Sequence, residues 1–324
     1  MAGKDTKVKI MKEQIHGGDV YRHKNVLDFS SNMNPLGTPP GVIKAAAESM
    51  KSVCNYPDIR YEELAGRLSE YERVPAEWLI CGNGAAELIF TLVLALKPSH
   101  ALLMAPTFAE YEQALRVVGC DIAYHELKEG DGYALTGDIL DEILLHLDLV
   151  ILCNPNNPTS SAITTEQMKR LLSLCKRNGI LVMADETYAE FAPCLSDITA
   201  IPLTESYDNL IVLRGVSKFW AAPGLRLGYA VTGNRKLQEQ INAAKNPWTV
   251  SSLADAAGQV MFTDTEYINR IRSLIREERE YCVSFLSELP GLKVFPAYAN
   301  FVLVRILRQG ITAGDIFEAA IRKK

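Results

Sequence analysis

The sequence lacks any apolar run long enough to span a membrane, and its first twelve residues carry charges where a secretion signal would carry an apolar core. It also lacks an excess of positive charge, because 34 Lys and Arg residues face 39 Asp and Glu for a formal net charge of −5. This balance gives no indication of a broad basic face for nucleic acid, while a small local basic pocket stays compatible with it. We expect a cytoplasmic protein without a membrane or a nucleic acid among its partners.

Clustered cysteines are also absent. The seven cysteines, an odd number, are scattered along the chain, and no Cys-x-x-Cys occurs. Disulfide frameworks and zinc sites show tighter spacing than this. Several cysteines lie inside apolar runs, as Cys153 does in Leu149–Cys153. We therefore expect buried free thiols and no metal site.

What is present is an ordinary globular balance, with 48% hydrophobic and 23% charged residues in 324. That length exceeds one typical single-core domain. Apolar runs of strand length alternate with helix-like stretches. The runs lie at Ala101–Met104, Leu149–Cys153, Ile180–Ala184, Leu210–Leu213 and Leu227–Val231, and the helical stretches at Ala85–Leu96, Glu110–Val118 and Thr165–Arg177. The alternation predicts an α/β fold with a mostly parallel sheet flanked by helices.

The pattern changes after about Asn234. A long helical region from Ser251 to Glu288 precedes a candidate strand pair around Leu292–Arg305. We interpret this part as a second, smaller α+β domain. The predicted organisation is an N-terminal segment, 1–45, that packs with the small domain, a large domain, 46–245, and a small domain, 246–324.

The first motif that carries chemistry is Cys-Gly-Asn-Gly-Ala-Ala-Glu at 81–87, which follows an apolar run and opens a helix. Glycines let the backbone approach an anion closely, and the first N–H groups of a helix lie unpaired at its positive end. Gly84, Ala85 and Ala86 are thus candidates to hold a phosphate, and a plain strand-to-helix turn is the alternative. A dinucleotide site is not favoured, because Glu87 stands where that fingerprint needs Gly or Ala.

Two further motifs directly follow apolar strands, where ligands lie in parallel sheets. Asn-Pro-Asn-Asn-Pro-Thr at 154–159 places the Asn157 amide in such a loop, with an ordinary turn as the alternative. Asp185 ends the next strand, in Ala-Asp-Glu-Thr-Tyr. A partly buried carboxylate needs a cationic partner, and a protonated pyridine nitrogen would serve. The alternative for Asp185 is a helix N-cap.

A fourth motif runs from Ser217 to Gly228, in the letters SKFWAAPGLRLG. Lys218 lies there among apolar and aromatic residues, where a lysine is costly unless it is deprotonated or covalently linked. Both conditions suit a Schiff base. Arg226, eight residues on, could pair with a phosphate. The alternative for Lys218 is an ordinary surface lysine.

The sequence resembles the fold-type I family of pyridoxal 5′-phosphate (PLP) enzymes, the aspartate-aminotransferase-like group. The resemblance extends from about His16 to Arg305, with the motifs in the family's order. They are the phosphate turn, Pro-Thr-Phe at 106–108, the 154–158 loop, the 184–188 string and the 217–228 string. The resemblance implies a PLP enzyme that acts on an amino acid as a homodimer.

The resemblance also implies roles for individual residues. Lys218 would form the Schiff base, and Asp185 would bond the pyridine nitrogen. Asn157 and Tyr188 would bond the phenolic oxygen, so Lys218, Asp185 and Tyr188 are the candidate catalytic residues. The other implied cofactor contacts are of two kinds. The residues implied for the phosphate cradle are Gly84, Ala85, Ala86, Ser217 and Arg226. Of two aromatic side chains, Phe108 would stack on the cofactor ring and Tyr56 would reach the cofactor phosphate of the partner subunit.

Within the family the sequence is more similar to the threonine-phosphate decarboxylases of cobalamin biosynthesis than to the histidinol-phosphate aminotransferases. The strings that carry this are His-Gly-Gly at 16–18, LDFSSNMNPLG at 27–37, FAEY at 108–111, KFW at 218–220 and NPWTV at 246–250. They imply a phosphorylated amino acid as substrate, with His16 near its phosphate and Asn32 in the substrate site. The alternative for His16 is a turn histidine. Amino transfer and a non-catalytic PLP-binding protein remain the alternative functions.

One feature of the family has no counterpart in this sequence. Family members usually continue for a few dozen residues past the position of Lys324, and that stretch carries the arginine that binds the substrate's α-carboxylate. Arg305 aligns with a strand position instead. The resemblance therefore assigns no residue to the carboxylate, and either the sequence is part of a longer chain or it diverges here.

Overall fold

The computed structural model describes residues 17–18, 20–22, 25–143 and 146–323. The chain divides into two compact units. Residues 33–309 form the larger unit, and the residues up to 32 form the other together with those from 310 onward. The domain boundaries near residues 45 and 245 stay predictions.

A seven-stranded sheet forms the centre of the larger unit. Its strands are β1 (Leu79–Gly82), β2 (His100–Ala105), β3 (Asp121–Glu126), β4 (Leu149–Cys153), β5 (Leu181–Asp185), β6 (Leu210–Gly215) and β7 (Gly228–Val231), in the order β1-β7-β6-β5-β4-β2-β3. Neighbours from β3 to β6 are parallel, and β7 is antiparallel to both β6 and β1. The predicted α/β fold with a mostly parallel sheet is confirmed, and so are the five predicted strands to within a residue or two.

The described helices of this unit are α1 (Pro40–Ser49), α2 (Glu62–Glu72), α3 (Ala85–Leu96), α4 (Glu110–Val117), α5 (Ile139–Glu142), α6 (Thr165–Arg177), α7 (Arg235–Ala244), α8 (Ser252–Met261) and α9 (Thr265–Glu288). The three predicted helices are confirmed as α3, α4 and α6. The predicted helical region 251–288 is two helices. Asp264 separates them, because its side chain accepts a hydrogen bond from Tyr267 N at 3.0 Å and so caps α9.

The core lies on both faces of the central strands. All five residues of β4 are buried, as a strand covered by helices on both sides requires. The predicted strand pair is present as the antiparallel strands β8 (Leu292–Val294) and β9 (Val304–Ile306). In the described residues, no helix has both the length and the apolar character to cross a membrane.

The cysteine prediction holds in part. Cys81, Cys120, Cys153 and Cys175 are buried free thiols. Cys54 and Cys194 are exposed, so for them the prediction is wrong. Burial raises the pKa of the Cys153 thiol to about 12, which keeps it protonated and unreactive.

The smaller unit contains α10 (Ala313–Lys323) and the described part of residues 17–32. Thr312 and Asp315 cap the start of α10 reciprocally, because Thr312 N donates to Asp315 Oδ2 at 2.7 Å and Asp315 N donates to Thr312 Oγ1 at 3.2 Å. In the other segment, Asp28 accepts hydrogen bonds from Ser30 N at 2.8 Å and from the Ser31 hydroxyl. Ser30 Oγ in turn accepts from Gly18 N at 2.7 Å.

Candidate active site

Three parallel strands end side by side at the candidate site. Asp185, the last residue of β5, pairs in register with Cys153 of β4 and Leu213 of β6. Asn154 N donates to Asp185 O at 2.8 Å, and Glu186 N donates to Leu213 O at 2.9 Å. The loops with the Asn-Pro, Asp-Glu-Thr-Tyr and Ser-Lys motifs therefore leave from one edge of the sheet, where α/β proteins bind ligands.

A row of glycines crosses the adjoining strands at this edge. Gly228 pairs in register with Gly82 of β1 on one side and Gly215 of β6 on the other. A Cβ atom on Gly228 would lie 2.6 Å from Ala85 N and 2.7 Å from Gly84 C, both main-chain atoms. The start of α3 thus packs directly on β7, and a side chain at Gly228 would displace it.

The predicted phosphate turn lies beside an arginine. Gly84 has a φ of 89°, and a Cβ atom on it would lie 2.7 Å from Arg226 Nη2. The guanidinium therefore adjoins the first N–H groups of α3, which have no intrahelical partners. Glu87 accepts hydrogen bonds from Asn83 N at 3.1 Å and from Thr91 Oγ1 at 2.8 Å, so it braces the turn from within the helix. The first N–H groups of α3 and the Arg226 guanidinium are donors that suit a phosphate.

Asp185 is a buried carboxylate, 4% exposed, with both oxygens held. Oδ1 accepts from Thr187 N at 2.9 Å and Thr187 Oγ1 at 2.6 Å, and Oδ2 accepts from Tyr111 Oη at 2.8 Å. Burial raises the pKa of Asp185, while these bonds and the charge of Arg214 oppose the rise. The helix N-cap alternative is wrong, because the short helix that follows begins after Tyr188, with no side-chain cap.

The loop after β2 joins the same cluster. Thr107 Oγ1 donates to Asn156 Oδ1 at 2.9 Å, and Asn156 Nδ2 donates to Pro106 O at 2.9 Å. Half-buried Phe108 packs edge-on against Tyr111, with ring centroids 5.5 Å apart. Phe108, the residue predicted to stack on the cofactor ring, is therefore linked to Asp185 through Tyr111.

Lys218 is not an ordinary surface lysine. It is half-buried, and both Val216 and Phe219 beside it are fully buried. Its carbonyl oxygen accepts from Asn34 N at 3.1 Å, and Asn34 Nδ2 donates to Phe219 O at 2.6 Å. The loop with Lys218 and half-buried Ser217 is thus anchored by a buried asparagine.

Asn157 and Tyr188 lie in loops at the same sheet edge. Asn157 is half-buried, and its main-chain N–H bonds the sulfur of Cys153. Tyr188 is 6% exposed, and its ring packs edge-on against Phe301 at a centroid distance of 5.1 Å. Their predicted bonds to a cofactor stay predictions.

The remaining predicted residues lie elsewhere. Tyr56 is 78% exposed and stacks on Trp248 at a centroid distance of 4.5 Å. Asn32 belongs to the smaller unit, and His16 lies outside the described residues. Their predicted roles stay predictions.

Sequence reasoning missed three residues of the site. Tyr111 and Thr187 hold the oxygens of Asp185, and Asn34 anchors the lysine loop. Each lies inside a string that carried the resemblance. Tyr111 is three residues after Phe108, Thr187 is two after Asp185, and Asn34 is two after Asn32. That proximity was the available signal, but their bonds to partners as far as 185 residues away were not visible in the sequence.

Residues 24–323 match the family described as aminotransferase class I and II. The chain belongs to this family. Its members depend on PLP, and the predicted resemblance to the aspartate-aminotransferase-like group is confirmed. The residues present fit that cofactor, because the edge of the sheet combines a buried carboxylate, a half-buried lysine and the predicted phosphate turn, where Arg226 lies against Gly84 and leaves no room for a Cβ atom.

The relatives of this aminotransferase-family chain include enzymes with two different activities in their names. It is 36% identical to the threonine-phosphate decarboxylase of Salmonella typhimurium over 91% of this chain and 83% of that one. It is 33% identical to a histidinol-phosphate aminotransferase of Ruminiclostridium cellulolyticum, over 86% and 78%. The crystal structure of the histidinol-phosphate aminotransferase from Clostridium acetobutylicum superposes with a TM-score of 0.85 at 29% identity, over 92% of this chain and 87% of that one. The predicted enzyme class, a PLP-dependent decarboxylase or aminotransferase, is confirmed.

Proposed function

We propose that this chain binds PLP on Lys218 and releases CO₂ from L-threonine O-3-phosphate, with aminopropanol phosphate as the product, in cobalamin biosynthesis. The observation that carries the cofactor is the buried Asp185 carboxylate, held at the sheet edge by Tyr111 and Thr187. Thr187 and Ala85 of the predicted phosphate turn lie within 3.3 Å and 3.4 Å of a Cβ atom placed on Gly215. The decarboxylase reaction is supported by the 36% identity to the Salmonella typhimurium enzyme. It is supported as well by the strings at 16–18, 27–37 and 246–250.

PLP, when bound, supplies an electron sink for a bond at the substrate's Cα. Asp185 would keep the pyridine nitrogen protonated, and Asn157 and Tyr188 would bond the phenolic oxygen. Lys218 would hold the cofactor and afterwards move a proton at Cα. The phosphate of the cofactor would lie in the cradle of Gly84, Ala85, Ala86, Ser217 and Arg226.

The substrate's own phosphate needs a second donor-rich pocket, separate from this cradle. We assign His16 and Asn32 to it from the resemblance. A phosphate contact would favour the charged imidazolium of His16. The partner in this proposal is thus a phosphorylated amino acid, bound in a homodimer whose Tyr56 completes the neighbouring site.

Amino transfer is the second candidate function. The TM-score of 0.85 to the Clostridium acetobutylicum aminotransferase supports it, and the same cofactor residues would serve either reaction. The orientation of the substrate would decide between them, because bound PLP would supply its electron sink to whichever Cα bond the site residues align with it. Decarboxylation needs no oxo-acid acceptor, whereas amino transfer needs one and liberates no CO₂.

The test supplies the cofactor-loaded chain with L-threonine O-3-phosphate alone and measures CO₂ and aminopropanol phosphate. We expect both products in equal amounts, and neither from a Lys218→Ala variant. A parallel reaction receives histidinol phosphate and 2-oxoglutarate. Glutamate in the second reaction without CO₂ in the first contradicts the decarboxylase proposal and establishes the aminotransferase.

A further inference from the structure

A tyrosine without an assigned function bonds the carboxylate oxygen of Asp185 that Thr187 does not bond. Tyr111 has no exposed surface, and its hydroxyl donates to Asp185 Oδ2 at 2.8 Å. Its ring is the one that Phe108 packs against, at 5.5 Å. Tyr111 therefore touches both the predicted pyridine carboxylate and the predicted stacking ring.

Core packing alone does not account for the hydroxyl. Phenylalanine would fill nearly the same volume, and a buried hydroxyl is costly unless it is hydrogen-bonded. The acceptor of Tyr111 is a carboxylate that is itself buried, so each group satisfies the other. Burial and the neighbouring charge of Asp185 raise the pKa of Tyr111 well above its ordinary value. The phenol therefore stays protonated and keeps donating.

The bond also fixes how the carboxylate is oriented. An ionised carboxylate offers about four lone-pair sites. Thr187 occupies two with its N–H and hydroxyl, and Tyr111 occupies a third. One acceptor position is left for a further donor. The described groups that act electrostatically on Asp185 also include Arg214, whose charge favours the ionised form.

We infer that Tyr111 is a positioning residue whose hydroxyl aims Asp185 and sets where the proton lies between that carboxylate and the pyridine nitrogen of PLP. This inference rests on the proposed cofactor. Without the hydroxyl, the ionised carboxylate loses one of its three bonds. The proton between Asp185 and the nitrogen then moves toward the carboxylate, and the cofactor is held less tightly.

The test compares Tyr111→Phe with the parent chain, each loaded with PLP labelled with ¹⁵N in the ring. We expect the affinity for PLP to fall about tenfold, the effect of one bond to a charged group. The nitrogen resonance should move toward that of an unprotonated pyridine, a change that a purely structural role would not cause. The control is Tyr207→Phe, because the Tyr207 hydroxyl lies near Ser173 Oγ at 3.0 Å, away from the site.

A second replacement keeps the proposal testable if Tyr111→Phe fails to fold. 3-Fluorotyrosine at position 111 preserves the volume and the hydroxyl but makes it a stronger donor, so the nitrogen resonance should move the opposite way. Unchanged affinity and an unchanged resonance in the variants that fold overturn the inference while the proposed function stands. If borohydride reduction of the loaded parent labels a lysine other than Lys218, the proposed function and this inference both fail.

Discussion

Asp185 is buried at the carboxyl end of β5, with 4% of its surface exposed. Burial raises its pKa above the ordinary 3.8, so in the protein alone its charge is a cost. Three hydrogen bonds and the charge of Arg214 lower that cost without removing it. A site that keeps a destabilising charge is typical of a group that meets a cation only when a ligand binds.

Asp185→Asn tests this at a single residue. A carboxyl whose pKa is raised by folding binds its proton more tightly when folded. Its contribution to stability is therefore greatest below about pH 3.8 and is lost as the pH rises through the folded-state pKa. Because the amide does not titrate, the Tm of the cofactor-free variant should rise relative to that of the parent as the pH increases above about 3.8.

The same variant should turn over substrate about a hundredfold more slowly or worse, because an amide cannot balance a pyridinium. Thermal unfolding across that pH range and steady-state rates measure the two effects. Asp141→Asn, at an exposed carboxyl of α5, is the matched control and should change neither. A Tm difference that is constant with pH, together with normal turnover, would contradict the role given to Asp185.

At the scale of elements, one buried ionic network joins the strand before the lysine loop to α9. Arg214, 3% exposed in β6, pairs with Glu186 at 2.9 Å and Glu190 at 3.2 Å. The Glu190 carboxylate also accepts a hydrogen bond from the Tyr71 hydroxyl of α2 at 2.6 Å, and it forms an ion pair with Arg272 of α9. The two glutamates flank Tyr188, so the network braces the loop that carries it.

Arg214→Met should lower the free energy of unfolding by about 3–5 kcal/mol, because it leaves Glu186 and Glu190 buried without their shared cation. Urea denaturation measures this. The control is Arg235→Met, which breaks a pair with Glu239 whose side chains are 90% and 65% exposed. There the expected loss is about 1 kcal/mol or less. Equal losses in the two variants would show that the buried network is not the stronger one.

The contact between α3 and β7 makes a second prediction at this scale. Gly228→Ala places a methyl group against the main chain of Gly84 and Ala85, so the phosphate turn must shift. We expect a loss of about 1–3 kcal/mol in stability and weaker binding of PLP, measured by denaturation and by absorbance titration. The control is Gly66→Ala in α2, where nothing lies within 4 Å of the added Cβ and alanine should be neutral or stabilising. Normal PLP binding by Gly228→Ala would contradict the placement of the cradle.

The elements that sequence could predict are those whose burial is continuous. β4 and β5 are apolar because helices cover both faces, so their residues alone identified them. β3 lies at the sheet edge with four of its six residues exposed, and it left no apolar run to detect. Tyr111 escaped for another reason, since its partner is 74 residues away and only the folded chain brings the two together.

At the scale of the whole molecule, the stretch from α1 to the residues just before α2 is rich in exposed apolar side chains. Exposed apolar patches mark binding faces. The exposed residues of this stretch, with the tryptophan that stacks on one of them, are Ile43, Met50, Val53, Tyr56, Ile59 and Trp248. We propose that a second copy of the chain covers this surface in a twofold dimer and that Tyr56 reaches the partner's cofactor phosphate.

The dimer prediction can be tested with two defective subunits. Lys218→Ala keeps Tyr56 but loses its own lysine, and Tyr56→Ala keeps the lysine but cannot serve its partner. In a mixed dimer, the site of the Tyr56→Ala subunit has its own Lys218 and receives an intact Tyr56. Random reassociation of equal amounts should therefore restore tight PLP binding at about a quarter of all sites, although neither variant alone binds tightly.

Light scattering provides the independent measurement, and the parent chain should have the mass of two subunits. Equal amounts of the parent and Lys218→Ala give the reference level, because half of all sites should then bind whether or not Tyr56 crosses between subunits. No gain on mixing the two defective chains would mean that Tyr56 serves its own subunit or none. A monomer that binds PLP as tightly as the proposed dimer would rule out the shared site, and Tyr56 would then be an exposed ring stacked on Trp248 without a role in the cofactor's phosphate pocket.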